Sequence, residues 1–389
     1  MHRGLTGHYL PSTTAGETFR AFIPNPLPPK PPLDISEALR ADLDRATLAL
    51  GRLDGSTTVL PDPKLFLFMY VRKEAVLSSQ IEGTQSSLSD LLLFENEGTS
   101  GIPLNDVQEV SNYVAAMDLG LKRLSEGFPL SLRLLKEIHG TLLAKGRGAS
   151  KEPGEFRRSQ NWIGGSRPGN AHFVPPPPDG LLDCLGALER FIRNDPDPTP
   201  ALIKAGLAHV QFETIHPFLD GNGRLGRLLI TFLLCSEKIL SEPMLYLSLY
   251  LKENRAEYYD LLQRVRTEGI WEEWLVFFVR GVAEAAEQAA VTARQILHLF
   301  ADDRNRIKSL GTTAGRALQV HDQLQRRPVT SIGQLAEGSG LSVPTVTSAL
   351  KDLQQIGLVQ ETTGGRYGRH FAYDHYLKIL SKGTEPLPR

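Results

Sequence analysis

Cysteine is nearly absent: Cys184 and Cys235 are the only two in 389 residues. They lie far apart and form no pair with metal-ligand spacing, which excludes a disulfide framework and a cysteine zinc site. Long apolar runs are missing as well. The longest, such as Leu228 to Cys235, is much too short to span a bilayer, and the opening MHRGLTGHYLPSTT lacks the apolar run of a signal peptide. No charge of one sign dominates either. Forty-three Lys and Arg face 44 Asp and Glu for a net charge of −1, so no overall basic field invites nucleic acid. These absences predict a cytoplasmic protein of a reducing compartment with no membrane partner. What is present is ordinary globular material, 41% hydrophobic and 22% charged, and enough length for two or three domains.

Helical periodicity dominates the chain. The proline-rich opening, Pro24 to Pro32, favours an extended polyproline segment. Asp34 and Glu37 then form a capping-box pattern ahead of Leu39, Leu43, Ala46 and Leu50. Pro63 opens a second helical stretch that ends at Gly83. Further apolar stripes at Val107 to Met117 and at Leu132 to Leu142 make the first 150 residues read as helical. Residues 154–178 break the pattern. Two short β-favouring runs, Asn161 to Ile163 and Ala171 to Val174, flank Gly, Pro and Asn, and a small hairpin is the expected form. Thr199 and Pro200 supply the start of the next amphipathic helix, which runs to Ile215. Others are expected near 225–238, 252–266 and 271–305. From Ala301 onward twelve Lys and Arg meet eight Asp and Glu, and SIGQLAEGSGLSVPTVTSALKDLQQIGLV reads helix, glycine turn, helix, before a turn-rich ETTGGRYGRHFAY that suits a two-stranded wing.

The segment richest in chemistry is HPFLDGNGRLGR, His216 to Arg227. It contains a GxGxxG spacing, but a dinucleotide turn must follow a strand, and this loop follows a helix. What survives is an anion nest: glycines let backbone N–H groups approach a ligand, and the following helix presents its positive end. Arg224 and Arg227 share one face of that helix, a pairing better suited to a polyphosphate than to one carboxylate. Asp220 offers a hard oxygen for Mg²⁺ between phosphates, and His216 is the group with an unperturbed pKa near neutrality, hence a candidate general base. A histidine before proline, or a Gly-Asn-Gly turn, is on its own usually structural. Together the residues imply phosphoryl or nucleotidyl transfer.

The same twelve residues match the HPFx(D/E)GNGRxxR signature, and the chain thereby resembles the Fic-domain protein adenylyltransferases. Ser78 to Gly83, SSQIEG, is similar to the inhibitory-helix motif of the N-terminally inhibited members, NWIGGSRPGNAHFVPPPP resembles their flap, and 331–373 looks like the winged-helix domain often appended to them. The resemblance implies a mostly α fold. It comprises an N-terminal helical region (1–105) ending its inhibitory helix at 78–83, a Fic core (106–305) with flap 154–178 and active motif 216–227, and a winged helix-turn-helix unit (310–389).

It also implies roles. His216 would deprotonate a Ser, Thr or Tyr hydroxyl of a target protein, which attacks the α-phosphorus of ATP. Asp220 would hold Mg²⁺. Asn222 with the amides of Gly221 and Gly223 would form the anion hole, and Arg224 and Arg227 would contact the β- and γ-phosphates. Glu82, otherwise a solvated helix-end residue, would pair with Arg227 and exclude the γ-phosphate, assisted by Ser78 one turn earlier. The same glutamate assists AMP removal in related enzymes. Asn161, Trp162, Ile163, Gly164, Ala171, Phe173 and Val174 would form the flap edge that takes an extended target. Tyr258 would line the adenine pocket or else serve in packing, with Gln211 a secondary nucleotide contact. A homodimer is implied too. For 310–389, protein interaction is favoured over DNA, because Ser342 to Leu350 carries no Lys or Arg to grip phosphate, although Lys351, Arg366 and Arg369 lie nearby. A DNA-binding regulator with the Fic core as sensor is the main rival reading, and another Fic phospho-transfer, kinase-like or of phosphocholine, is the second.

Overall fold

A computed structural model describes residues 3–14, 16–57, 63–97, 104–362 and 369–387. The chain opens on a β-hairpin, β1 (Gly7–Thr14) and β2 (Glu17–Pro24), antiparallel with Gly7 opposite Pro24 and Thr14 opposite Glu17. Helices follow: α1 (Glu37–Thr57), α2 (Pro63–Ile81), α3 (Leu88–Glu97), α4 (Leu104–Ser125), α5 (Leu132–Leu142) and α6 (Pro178–Ile192). Next come α7 (Ala201–Ile215), α8 (Asn222–Ser236), α9 (Ser248–Glu253), α10 (Arg255–Glu268) and the long α11 (Trp271–Lys308). The last unit runs α12 (Ala314–Arg326), β3 (Val329–Ser331), α13 (Ile332–Ser339), α14 (Val343–Gln355), β4 (Gln360–Glu361), β5 (His370–Ala372) and α15 (Asp374–Leu380). Its three strands form one antiparallel sheet in the order β3-β5-β4.

α7 and α8 are the centre of the molecule. Every residue from Leu202 to Ile215 is buried, so α7 is enclosed on all sides rather than amphipathic as expected from sequence. A helix that is apolar nearly all round has neighbours all round. α7 packs on α8, α6 and α11, and α11 also carries α1 along much of its length. One apolar core is continuous from Leu27 to Leu380, taking in Phe300, Tyr373 and Tyr376 where the C-terminal unit meets α11.

Several local expectations are corrected. The N-terminus, Gly7 to Pro24, is a hairpin where the sequence reads as helical. In TFRAFIP, Phe19 and Ala21 alternate inward, a period-2 signal short enough to be masked by the prolines after it. α1 is capped by Ser36, whose Oγ accepts the Leu39 N–H at 3.2 Å, and Asp34 instead donates its N–H to Glu272. α7 starts without a side-chain cap, and Thr199 gives its N–H to Asn194. The stretch expected at 252–266 is two helices broken at Asn254. The expected flap hairpin is a single antiparallel bridge, Ile163 with Phe173. Gly164 and Gly165 at φ 68° and 72° turn the chain immediately, and the tip is closed by Asn170 Oδ1, which accepts the Ser166 and Arg167 N–H groups at 3.0 Å each. In the C-terminal unit Gly340, φ 69°, ends α13 and Ser342 caps α14. The turn between β4 and β5, including Arg366, lies outside the described residues.

Candidate active site

The site begins where α7 stops. His216 adopts φ 49°, ψ 61°, a left-handed conformation unfavourable for a residue with a Cβ, and Pro217 prevents the helix from continuing. The surroundings hold it there. The buried Arg157 guanidinium donates to the carbonyls of His216 (2.9 Å) and Pro176 (2.5 Å), and its own N–H reaches Pro217 O at 3.0 Å. Asn161 Nδ2 donates to His216 O and Phe218 O at 3.1 and 2.9 Å. Asn222 closes the loop from inside, accepting the Phe218 N–H at 2.9 Å and donating to Phe218 O at 2.8 Å. His139, stacked on Phe218 with ring centroids 3.7 Å apart, accepts the Gly154 N–H at Nδ1; its Nε2 therefore carries the proton and donates to Asp220 O at 3.0 Å. Burial pushes His139 down to about 4, so it stays neutral in this role.

The loop delivers α8 with Gly221 at φ 78° as its N-cap, and α8 starts at Asn222, three residues earlier than expected. Arg224 and Arg227 are consequently in its first two turns, both 2% exposed. Arg224 donates to Glu109 Oε2 at 3.1 Å and to Asp220 Oδ1 at 3.3 Å. Arg227 Nε donates to Ser78 Oγ at 2.8 Å, and its Nη2 donates to Ser78 O at 3.0 Å and Glu82 Oε1 at 2.6 Å. Burial raises the Glu82 carboxyl, but the charge and hydrogen bond of Arg227 outweigh it and hold the group below the usual carboxylate range. A Cβ on Gly223 would lie 2.3 Å from Glu82 Oε1, so the carboxylate sits directly on the glycine at the N-terminus of α8.

Beside this pair lies a cleft of about 630 Å³. His216, Arg227, Glu82 and Gly223 form one wall, Tyr258 and Arg266 another, and Trp162, Ile163, Gly164 and Phe173 the lip. Burial, aided by the Arg266 and Arg157 charges, lowers His216 to about 4, so its imidazole is neutral near pH 7. Glu213, one turn before His216, is buried and raised to about 7, with Oε2 4.0 Å from His216 Nδ1.

The structure distributes the remaining candidates differently. Tyr258 is fully buried at the floor, its hydroxyl donating to His209 Nε2 at 2.8 Å, while the adjacent Tyr259 is partly exposed at the cleft. Gln211 does not face the cleft; its amide donates to Asn25 O at 2.9 Å and ties α7 to the end of β2. Ala171 and Val174 leave the lip to pack with Phe19 and Ala21, and Val174 O accepts the Phe22 N–H at 2.8 Å. Asn161 faces the loop rather than an incoming target. The sequence alone does not single out Glu109, Arg157, His139 or Glu213. A buried-type arginine inside the Gly/Pro-rich 154–178 segment was the one available signal; Glu109 reaches Arg224 across 115 positions and carries none.

A helical core whose central helix pair is joined by a glycine-rich loop defines a Fic-type domain. Profiles of the Fic/DOC family N-terminal region and of the Fic/DOC family match residues 40–122 and 129–234, and a winged helix-turn-helix DNA-binding profile matches 316–360. The chain thus carries a Fic/DOC N-terminal region and a Fic/DOC domain, followed by a winged helix-turn-helix unit. The protein adenylyltransferase Fic of Drosophila virilis is 31% identical over 235 residues, 59% of this chain and 44% of that protein. Its Drosophila melanogaster counterpart is 31% identical over 182 residues, 46% of this chain and 33% of the relative. The chain thus spans less than half the length of these curated relatives. A Fic family protein from Desulfovibrio desulfuricans shares the fold, with a TM-score of 0.58 at 20% identity over 88% of this chain and 98% of that one. A Fic domain containing signaling protein from Bacteroides thetaiotaomicron gives a TM-score of 0.50 at 17% identity, covering 65% and 95%. Among the described residues no helix is long and apolar enough to cross a membrane.

Proposed function

We propose that the chain is a protein adenylyltransferase, transferring AMP from ATP to a hydroxyl of a target protein, and that Glu82 holds it inactive. The observation that carries the reading is the carboxylate of Glu82 resting on Gly223 and Arg227, on the anion nest beside His216. A carboxylate in that place imitates a phosphate, which supports a nest built to bind one.

The chemistry asked of the protein is mainly positioning and charge stabilisation. The γ-phosphate displaces Glu82 from Arg227, the β-phosphate meets Arg224, and the amide of Gly223 faces the phosphate oxygens, the Gly221 N–H being held by Asp220 Oδ1. The base of the nucleotide lies over Tyr258 and Tyr259. His216 takes the proton of the target Ser, Thr or Tyr hydroxyl; its oxygen bonds to the α-phosphorus as the bond to the β-bridging oxygen breaks and pyrophosphate leaves. His216 is neutral and free to accept that proton, and the incoming negative charge raises its pKa toward the working pH. Left-handed backbone at His216, fixed by Arg157 and Asn161, sets where the ring points before any substrate arrives.

The donor set suits Mg²⁺. No group of three His, Cys, Asp or Glu side chains converges among the described residues, so a single carboxylate must share the ion with phosphate and water, as Mg²⁺ prefers. Asp220 would hold it: Oδ1 is engaged by Gly221 N–H at 2.6 Å, and the side chain stays about a third exposed. Bound there, the ion would neutralise the α- and β-phosphate charge.

Residues 1–105 would serve as the inhibitory region, 106–305 as the catalytic core and 310–389 as the interaction unit of a cytoplasmic homodimer. Incubation with ATP labelled separately at the α- and γ-phosphates tests the activity. Protein labelled only from the α position supports adenylylation, and label from γ alone replaces it with a kinase.

A further inference from the structure

The segment that follows the winged-helix unit returns to the inhibitory helix. Lys252 on α9 is buried, and its ammonium donates to Gln80 Oε1 at 2.7 Å, to Gly383 O at 3.1 Å and to Glu385 O. The Gln80 amide nitrogen donates to Thr384 O and to Ser86 O, each at 2.8 Å. Two turns earlier on α2, buried Lys73 donates to Lys382 O at 2.9 Å. Gln80 and Thr384 are each 1% exposed. Residues 382–385 are therefore gripped through their backbone carbonyls by two buried lysines and a glutamine, one of which stands two positions before Glu82. The grip continues into the winged-helix unit: α15 buries Tyr376, Leu377 and Leu380, and the residue before it, Tyr373, donates its N–H to Pro328 O and its hydroxyl to Asp303 on α11.

We infer that Lys382–Glu385 is a clasp that keeps the Ser78–Gly83 end of α2 seated on Arg227, so that displacement of the winged-helix unit by its partner releases Glu82. The proposal deepens the reading of Glu82 as an inhibitor and rests on it. Desolvated ammonium groups make few bonds elsewhere, and removing one partner leaves buried polar atoms unpaired. Loss of the clasp consequently loosens both sides of the contact. The physical path runs from the β3-β5-β4 sheet through Tyr373 and α15 to 382–385, then through Gln80 to Glu82.

Two full-length variants break the clasp from opposite sides without touching Glu82, Ser78 or the cleft. Lys252→Met removes the ammonium. Gly383→Val adds a Cβ that would fall 2.7 Å from Leu249 Cδ1, at a position with φ 82° that a branched residue resists. Each is made with and without Glu82→Gly, checked for cooperative thermal unfolding, and read by α-labelled AMP incorporation and by amide hydrogen exchange over 79–84. Each single variant is expected to raise incorporation about tenfold, as a loss of about 1.4 kcal/mol in the inhibited state would, and to speed exchange. Neither should add to Glu82→Gly. Wild-type incorporation and exchange in both folded variants, beside a raised Glu82→Gly, would overturn the clasp. Should Glu82→Gly itself transfer nothing, the adenylyltransferase reading falls, and exchange alone decides: faster exchange upholds the clasp and unchanged exchange overturns it.

Discussion

Replacing Glu82 by glycine removes one of three contacts to Arg227 and leaves the other two, both from Ser78, in place. That makes the variant a clean measure of one carboxylate. A charge-assisted hydrogen bond is worth about 1.5–3 kcal/mol when buried. Glu82 keeps 32% of its side-chain exposure, so solvent screening moves the figure to the low end, about 1.5–2 kcal/mol. At about 1.4 kcal/mol per decade, AMP incorporation from α-labelled ATP should rise roughly ten- to thirtyfold at equal protein concentration. The Gly223 N–H end of α8 is uncovered in the same step, so ATP affinity and turnover should both improve. Arg227→Ala in the same background should abolish the gain, because the phosphate's own partner is then missing. Equal labelling by wild type and Glu82→Gly refutes the reasoning, and equal labelling with and without Arg227 refutes the choice of partner.

Asp220→Ala should shift the magnesium titration of activity to higher concentration; a titration superimposable on wild type removes the metal assignment. Arg157→Met should lower the unfolding free energy by about 2–3 kcal/mol, read in urea, since the carbonyls of His216 and Pro176 lose a buried donor; a change below 0.5 kcal/mol would show that the loop holds its left-handed residue unaided. Glu213 has a folded pKa raised to about 7, above the ordinary unfolded value, so the folded state binds the extra proton and stability falls as pH rises from about 4.5 through 7. Glu213→Gln should flatten that fall in urea titrations at pH 5 and pH 8, although Glu74, also raised to about 7 by burial, keeps part of it. An unchanged pH slope would place Glu213 in solvent.

The loop from His216 to Arg227 is legible because its residues are local: histidine, carboxylate, glycines and arginines lie within one turn and two helical turns. The α2 terminus at Ser78–Gly83 was legible for the same reason, as a short motif at helical spacing. What escaped is non-local. Arg157 and Glu109 act on atoms 59 and 115 positions away, and Gln211, on sequence a nucleotide contact, commits its amide to Asn25. The β-favouring residues of the flap predict a hairpin, yet two glycines at positive φ reduce it to one bridge. Val174 meanwhile pairs with Phe22 of an N-terminal hairpin that periodicity had missed behind its prolines. Propensity describes what a segment prefers alone; these segments are decided by what packs against them.

The three tryptophans are placed as an optical instrument. Trp271 and Trp274 are 3% and 0% exposed, and the Trp274 indole donates to Gly206 O at 2.9 Å within a stack that includes His209 and Tyr258. Trp162 alone stands 37% exposed, on the lip of the cleft. Excited together, the buried pair emits as a constant short-wavelength background, and the lip residue supplies the long-wavelength, acrylamide-quenchable part. Whatever enters the cleft changes that second part first. The unlabelled protein thus carries its own fluorescent gauge of occupancy, with a built-in internal standard.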